Sequence, residues 1–146
     1  MFRSVLIANR GEIAVRIART LRVMGVRSVV AASVPDRRSF AVRSADDWVL
    51  LEGYSAAETY LDADAIIAAA RATGCKAIHP GYGFLSERPD FADRCTAEGI
   101  AFIGPPPAVL RALGDKSSAR RLAVANDVPV VPGWDGAGAP ETLVRV

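Results

Sequence analysis

The sequence predicts an α/β fold in which five mostly parallel strands form one doubly wound sheet. Short apolar runs rich in β-branched residues, typical of strands covered on both faces, recur along residues 4–103. Between them lie segments whose apolar residues recur every three or four positions, several of them ending in a glycine. Strands that alternate with helices favour parallel pairing, because a parallel connection needs a crossover of about a dozen residues. The predicted strands are residues 4–8, 27–32, 48–51, the run that ends at 78, and 100–103.

The first strand–helix–strand unit shows these signals clearly. The first strand, residues 4–8, is interrupted by the Asn-Arg-Gly segment at 9–11. An apolar stripe then predicts a helix that Gly25 ends in the left-handed conformation. The members of the stripe are Ile13, Ile17, Leu21 and Met24. Residues 27–32 form the second strand, and the crossover is expected to be right-handed.

The middle of the chain continues the alternation. A loop at 34–38 and a short helical turn within 40–47 lead to the third strand. Asp62 is a suitable N-cap for a helix that Gly74 ends. The residues of this segment expected to face the sheet are Ile66, Ile67, Ala70 and Cys75.

A fourth helix is predicted at residues 89–98. Ser86 and Glu87 have the residue types that start helices, and Pro89 suits a first turn. Gly99 closes this helix and leads into the fifth strand.

The character of the chain changes after Gly104. Three prolines at 105–107 stiffen the backbone and mark a domain edge. Two short helices are predicted beyond it, at 108–113 and 116–125, the second capped by Asp115 and carrying Leu122 and Val124 as its apolar residues. We therefore expect a sheet domain at 1–104, a helical linker at 105–133 and, at 134–146, the poorly ordered start of another domain.

Composition excludes several classes of function. Hydrophobic residues make up 51% and charged residues 23%, and 18 basic against 16 acidic residues leave a net charge of +2. No basic stripe interleaved with aromatic residues occurs, so nucleic acid is not an expected partner. No segment approaches the ~20 apolar residues of a membrane span, and Cys75 and Cys95 lack the spacing of a metal site or disulfide framework. A reducing cytoplasm is the expected location.

The loop after the fourth strand carries the strongest functional signal of the individual residues. Pro80 ends the strand, and Gly81 and Gly83 allow positive φ or a close approach to a ligand. Ligands of α/β sheets bind at the carboxyl ends of strands, where Tyr82 could offer an aromatic surface to a flat substrate. A tight structural turn is the open alternative for the glycines, and a structural role is the favoured one for His79.

The sequence gives little support for a dinucleotide site or a metal site. A dinucleotide site needs a glycine-rich first turn, but this turn has only Gly11, followed by Glu12, an acid that repels phosphate. Asp36 lies where a ribose-binding acid would lie, yet without the glycines we interpret it as a turn residue. The close acidic pairs, at 46–47 and at 62 and 64, lack further ligands, so we predict no metal site and no complete active site.

Lys116 is the candidate anion ligand. It follows Gly-Asp at a predicted helix start, where backbone N–H groups and the helix dipole favour an anion. Its ammonium could help to hold a phosphate, and ordinary surface charge is the alternative.

Five motifs occur in an order and spacing that resemble the biotin carboxylase family. They are VLIANRGEIAVR at 5–16, AIHPGYGFLSE at 77–87, FIGP at 102–105, GDK at 114–116 and VPVVPG at 128–133. The resemblance covers about the first 133 residues. The chain is similar to the amino-terminal part of the biotin carboxylase subunit or domain of an acyl-CoA carboxylase, such as an acetyl-, propionyl- or methylcrotonyl-CoA carboxylase.

The resemblance implies a ligase that uses ATP and Mg²⁺ to activate bicarbonate as carboxyphosphate and then carboxylates N1 of biotin on a carrier protein. It also implies a Rossmann-like domain that precedes an ATP-grasp domain. The implied partners are the biotin carboxyl carrier protein or domain, a carboxyltransferase subunit and a second copy in a homodimer.

Site residues carry over by position. Lys116 matches a lysine that contacts ATP. The loop that borders the biotin and bicarbonate pocket is matched by Gly81, Tyr82 and Gly83. The helix face used in family dimers is matched by Arg16 and Arg19, but Val23 stands where relatives often have an acid.

Length limits what the resemblance implies for this chain. In the family, the glycine-rich ATP lid, the metal-binding glutamates and the residues that handle bicarbonate follow the point that matches residue 146. We therefore expect a separate domain or truncated product that binds nucleotide weakly and is inactive alone, with no catalytic residue of its own. The alternative is a stand-alone binding or dimerisation module that kept the fold and lost catalysis.

Overall fold

The structure is a computed structural model that describes residues 2–131. Its elements are β1 (Ser4–Ile7), α1 (Gly11–Val23), β2 (Arg27–Ser33), α2 (Phe40–Ser44), β3 (Asp47–Leu51), α3 (Ala63–Ala72), β4 (Ala77–His79), α4 (Pro89–Ala97), β5 (Ala101–Phe102), α5 (Pro107–Leu113) and α6 (Lys116–Ala125). The chain divides into two compact units, residues 1–107 and 108–146. The expectation about residues 134–146 lies outside the described part of the chain.

All five strands run parallel, in the order β3-β2-β1-β4-β5. This order confirms the predicted doubly wound α/β class. The order reverses at β1, where Leu6 is paired with Val29 of β2 on one side and with Ile78 of β4 on the other. The chain therefore leaves β1 and β4 in different directions, which opens a crevice at their carboxyl ends.

The third strand is not buried on both faces, although its apolar run predicts that it is. β3 lies at the edge of the sheet, and its Trp48 and Leu50 are 41% and 36% exposed. An edge strand has a neighbour on one side only, so its side chains are covered incompletely.

Helix α1 forms on the predicted stripe, with one correction at its end. Ile17 and Leu21 are buried, and the small residues Ala14 and Ala18 are buried with them. Met24, however, is 51% exposed, because the helix ends one residue earlier and Met24 occupies the C-cap. Helical periodicity therefore no longer directs this side chain towards the sheet.

Two predicted N-caps have opposite outcomes. Asp62 caps α3 as expected, since its Oδ1 accepts two backbone N–H groups at 2.9 and 3.1 Å. The prediction for Ser86 is wrong: α4 begins at Pro89, and Arg88 occupies the N-cap without a side-chain hydrogen bond. The backbone N–H of Ser86 instead closes a turn of the preceding loop.

Each face of the sheet carries its own hydrophobic core. On one face, α3 and α4 cover Leu6 and Ile78; on the other, α1 and α2 cover Ile7 and Val30. Burial of side chains of this size contributes about 1.5–3 kcal/mol each to the free energy of unfolding.

The two cysteines pack as small hydrophobic residues. Cys75 and Cys95 are both free and buried in the core beneath α3 and α4. Burial raises the pKa of the Cys95 thiol to about 11, so this group is not a reactive thiolate at neutral pH.

In the second unit, the predicted cap of α6 is confirmed. Asp115 Oδ2 accepts the backbone N–H of Ser118 at 2.7 Å. None of the ten residues of α6 is buried, and the expected apolar residues Leu122 and Val124 are 44% and 56% exposed. Among the described residues, no helix has the length and hydrophobicity of a membrane span.

Candidate functional site

The crevice between β1 and β4 places two loops side by side. One loop begins at Ala8, directly after β1, and includes Asn9; the other is residues 80–85, directly after β4, called the glycine loop below. Both lie at the carboxyl ends of their strands, at the point where the strand order reverses. In open parallel sheets this position is where ligands bind.

A buried amide holds the glycine loop against β1. Asn9 is only 1% exposed, and its Nδ2 donates hydrogen bonds to the carbonyls of Pro80 and Tyr82, both at 2.8 Å. Its Oδ1 accepts the backbone N–H of Arg10 at 2.9 Å. Both donors and the acceptor of this buried side chain are therefore satisfied, which its burial requires.

The two glycines of the loop have the same backbone conformation but different surroundings. The φ angles of Gly81 and Gly83 are +70° and +69°, a region that residues with a Cβ rarely adopt. A Cβ on Gly81 would lie 2.6 Å from Nδ2 of Asn9, whereas a Cβ on Gly83 would meet nothing within 4 Å. A glycine is thus required at position 81 for two reasons: its positive φ angle and the close approach of the Asn9 side chain.

His79 supports the same loop from the strand side. Its Nδ1 accepts the backbone N–H of Gly81 at 3.0 Å, which leaves the ring proton on Nε2. Burial and, secondarily, the charge of Arg16 lower the pKa of His79, so the ring stays neutral at pH 7. This contact supports the structural role favoured for His79.

Tyr82 differs from its neighbours because its side chain is 73% exposed. It borders a hollow of about 380 Å³ between the glycine loop and the start of α1, which Arg10, Glu12 and Phe84 also line. An exposed aromatic ring on a backbone held from both sides is a suitable surface for a flat, partly polar ligand.

A second set of contacts joins the glycine loop to the loop after β2. Phe84, with φ +45°, stacks on Tyr60 at 5.1 Å between ring centroids. The Tyr60 hydroxyl donates to Asp36 Oδ2 at 2.9 Å and accepts the N–H of Ser33. Asp36 also accepts hydrogen bonds from Nε and Nη2 of Arg10, each at 2.8 Å. Asp36 and Tyr60 line a separate hollow of about 300 Å³, which Arg10 and Phe84 also border.

The environment of Asp36 decides its role. The Arg10 guanidinium and the hydroxyls of Ser33 and Tyr60 lower the pKa of Asp36 to about 2, against the effect of burial. A carboxylate with this many donors is occupied by the protein. Asp36 lies in a turn as interpreted from the sequence, and these contacts give it no free oxygen aimed at a ribose.

Arg16 and Arg19 are both exposed on α1. Both line a hollow of about 640 Å³ that Ser39 and Phe40 border from the side of α2. Arg16 alone also reaches a second, more apolar cleft of about 550 Å³ with His79. Their predicted role in a dimer stays a prediction.

Lys116 is the first residue of α6 and is exposed, in agreement with the predicted helix start. The Asp115 carboxylate accepts the N–H of Ser118 at this helix terminus, so that N–H is not available to an anion. Lys116 lies in the second unit and its proposed ATP contact stays a prediction. Within residues 2–131, no group of three or more His, Cys, Asp or Glu side chains could hold a metal ion.

Sequence reasoning missed three residues that build the site: Asn9, Tyr60 and Phe84. Asn9 looked like a strand breaker, and its partners are more than 70 positions away. The only local signal was a polar residue directly after an apolar strand. No sequence pattern around Tyr60 or Phe84 predicts that their rings stack on each other.

Comparison with known proteins assigns the family. The family model described as "Biotin carboxylase, N-terminal domain" matches residues 1–110. The mitochondrial methylcrotonoyl-CoA carboxylase subunit alpha of Oryza sativa subsp. japonica is 56% identical over 142 residues, which are 97% of this chain and 19% of that protein. Urea amidolyase of Saccharomyces cerevisiae is 56% identical over 133 residues, 91% of this chain and 7% of that protein.

A solved structure agrees with these relatives. The biotin carboxylase domain of a single-chain bacterial carboxylase superposes with a TM-score of 0.87 at 49% identity, covering 95% of this chain and 32% of that one. The chain thus spans at most about a fifth of the length of the two curated relatives. Because the family model covers 110 of the 146 residues, the chain belongs to the biotin carboxylase N-terminal domain family.

Proposed function

We propose that the chain serves as the amino-terminal domain of a biotin carboxylase, a ligase that uses ATP and bicarbonate to carboxylate biotin on a carrier protein. In this role the glycine loop forms one wall of the biotin and bicarbonate pocket. The observation that carries the proposal is the exposed ring of Tyr82 on a loop pinned by Asn9 at the switch point of the sheet.

The chain's own residues bind and orient in this proposal. The ureido ring of biotin is flat and polar, and Tyr82 offers a flat face with a hydroxyl at its rim. Gly81 and Gly83 present backbone without side chains, so a substrate can approach closely. Because both sides of the loop are held, little ordering is needed when the substrate arrives.

The nucleotide and metal belong mainly to other parts of the enzyme. ATP, when bound, supplies the phosphoryl group that activates bicarbonate. Lys116 could hold one of its phosphates through its exposed ammonium. Residues 2–131 do not fit Mg²⁺ as a resident ion, because they bring no three candidate ligand side chains together. We therefore route no step through a metal on this chain.

The proposed partners follow from the same reaction. A biotinylated carrier protein or domain must reach Tyr82, and a carboxyltransferase subunit must consume the carboxybiotin. A homodimer contact through Arg16 and Arg19 is supported by their exposure on α1. Val23 is 89% exposed on the same helix and supplies an apolar group where relatives often have an acid. A cytoplasmic location is part of the proposal.

Replacement of Tyr82 tests the function. In the full-length carboxylase that contains this domain, Tyr82→Ala should raise the KM for biotin about tenfold, the value of one aromatic contact of ~1.4 kcal/mol. Tyr54→Ala is the matched control, since Tyr54 is 77% exposed at the carboxyl end of β3. Biotin-dependent ATP hydrolysis measures both. Equal KM values for the two variants, or no bicarbonate-dependent turnover by the parent enzyme, would contradict the proposal.

The isolated chain gives a second test. Of the family's ATP contacts, only Lys116 lies within these 146 residues, so we expect weak ATP binding that Mg²⁺ does not strengthen. Isothermal titration calorimetry of the chain, with and without Mg²⁺, measures it. Tight, magnesium-dependent binding would show that nucleotide recognition resides here.

A stand-alone binding or dimerisation module is the second candidate, and one observation favours it. The cleft of about 550 Å³ beside α1 is lined mostly by apolar side chains, among them Phe2, Met24 and Ile103. A module of this kind should self-associate tightly as the isolated chain. Sedimentation equilibrium at micromolar concentration tests this candidate: a monomer would contradict it, whereas a dimer is compatible with both candidates because the carboxylase proposal includes a homodimer contact.

A further inference from the structure

Asn9 binds the backbone of the glycine loop on both sides of Gly81, at the carbonyls of Pro80 and Tyr82. We infer that Asn9 is a positioning residue that sets the place of Tyr82 through the backbone of the glycine loop. The inference rests on the proposed function, in which Tyr82 contacts biotin.

The chemistry of the contact requires an amide at position 9. Two carbonyls, from Pro80 and Tyr82, face Nδ2, and one N–H, from Arg10, faces Oδ1. A carboxamide has two N–H donors on one atom and an acceptor on the other, which matches this arrangement without surplus. An aspartate of the same shape would direct a carboxylate oxygen at two carbonyl oxygens.

The geometry places the contact where it controls the loop. The two carbonyls belong to the residues on either side of Gly81, so Asn9 holds the Pro80–Gly81 and Tyr82–Gly83 peptide groups. His79 Nδ1 accepts the N–H of Gly81 from another side. A Cβ on Gly81 would overlap the Asn9 side chain, so the two residues fit only as a pair.

Tyr82 has no comparable support of its own. Its ring is 73% exposed, and within residues 2–131 its side chain makes no hydrogen bond. The position of the ring therefore follows the position of its backbone, which Asn9 binds directly through the Tyr82 carbonyl. Displacement of a substrate-orienting group by about 1 Å can cost up to a hundredfold in rate.

The test is a kinetic comparison in the full-length carboxylase. We expect Asn9→Ala to raise the KM for free biotin about tenfold or more, while the KM for ATP stays within about twofold of the parent value. Asn9→Asp should have the larger effect. Asn9→Ser keeps one donor, so its KM for biotin should lie between those of the parent and Asn9→Ala. This variant remains informative if the aspartate variant does not fold.

A matched structural control separates positioning from stability. Val30 is buried in the core on the opposite face, in a cluster that contains no residue of the glycine loop, and Val30→Ala should lower the melting temperature without changing the KM for biotin. If the Asn9 variants have lowered melting temperatures but an unchanged KM for biotin, Asn9 is a structural residue only. That result would overturn the inference. A parent enzyme without biotin-dependent turnover would instead refute the proposed function.

Discussion

Two loops of this domain leave the same edge of the sheet, and different kinds of interaction hold them in place. The loop after β4 is held by an uncharged amide, since Asn9 is 1% exposed and binds two carbonyls. The loop after β2 is held by a carboxylate, since Asp36 binds Arg10, whose side chain is 54% exposed. Each of these two side chains joins its loop to a distant part of the chain.

The difference shows how each loop responds to its surroundings. A buried neutral amide gains little Coulomb energy, but its loss leaves buried carbonyls without partners, so the cost is large and independent of salt. A partly exposed ion pair is screened by solvent and depends on pH, so its loss costs less. The loop proposed to face substrate is the one with the firmer attachment.

Replacement of the two glycines should give the largest effect. Gly81→Ala combines an unfavourable left-handed φ with overlap against Asn9 and should lower the free energy of unfolding by about 3 kcal/mol. Gly83→Ala has the same φ but open space and should cost about 1 kcal/mol. Urea denaturation of the isolated chain measures both. Equal losses would show that the Asn9 contact contributes nothing beyond backbone strain.

Removal of the Tyr60 hydroxyl should give the next largest effect. In Tyr60→Phe the buried N–H of Ser33 loses its acceptor, at 3.1 Å in the structure, while the ring can still stack on Phe84. An unsatisfied buried donor costs about 1–3 kcal/mol, and we expect a loss near 2 kcal/mol in urea denaturation. Tyr54→Phe, at an exposed tyrosine, is the control. A loss no greater than that of the control would mean that water replaces the hydroxyl.

Acid should weaken the loop after β2 by the smallest amount. The pKa of Asp36 is lowered to about 2, so the folded state binds fewer protons than the unfolded state. Its contribution is present above pH ~4, the ordinary aspartate value, and is lost as pH falls towards 2.

An Asp36→Asn variant measures this contribution. The parent minus variant difference in unfolding free energy should be about 1 kcal/mol at pH 5 and low salt, smaller at pH 3, and smaller again at high salt. An Arg10→Gln, Asp36→Asn double-mutant cycle attributes the difference to the pair. A difference that is the same at both pH values would show that the contribution of Asp36 does not depend on its charge.

Local patterns predicted most of the fold. Apolar runs, amphipathic stripes and closing glycines specified five strands and their helices, and Asp62 and Asp115 were recognised as N-caps. The failures lie at element ends, where Ser86 is not a cap and Met24 is exposed. At an end, the choice between neighbouring residues depends on contacts that no local period encodes.

By itself, the sequence determined the α/β class, the order of elements and the family, because each depends on short-range periodicity or on motifs that can be compared position by position. Only the tertiary structure decided that Asn9 holds the glycine loop, that Phe84 stacks on Tyr60 and that Asp36 is occupied by Arg10. These contacts join residues 24 to 73 positions apart. Their partners meet because β1, β2 and β4 are neighbours in the sheet, and a one-dimensional pattern carries no record of which strands become neighbours.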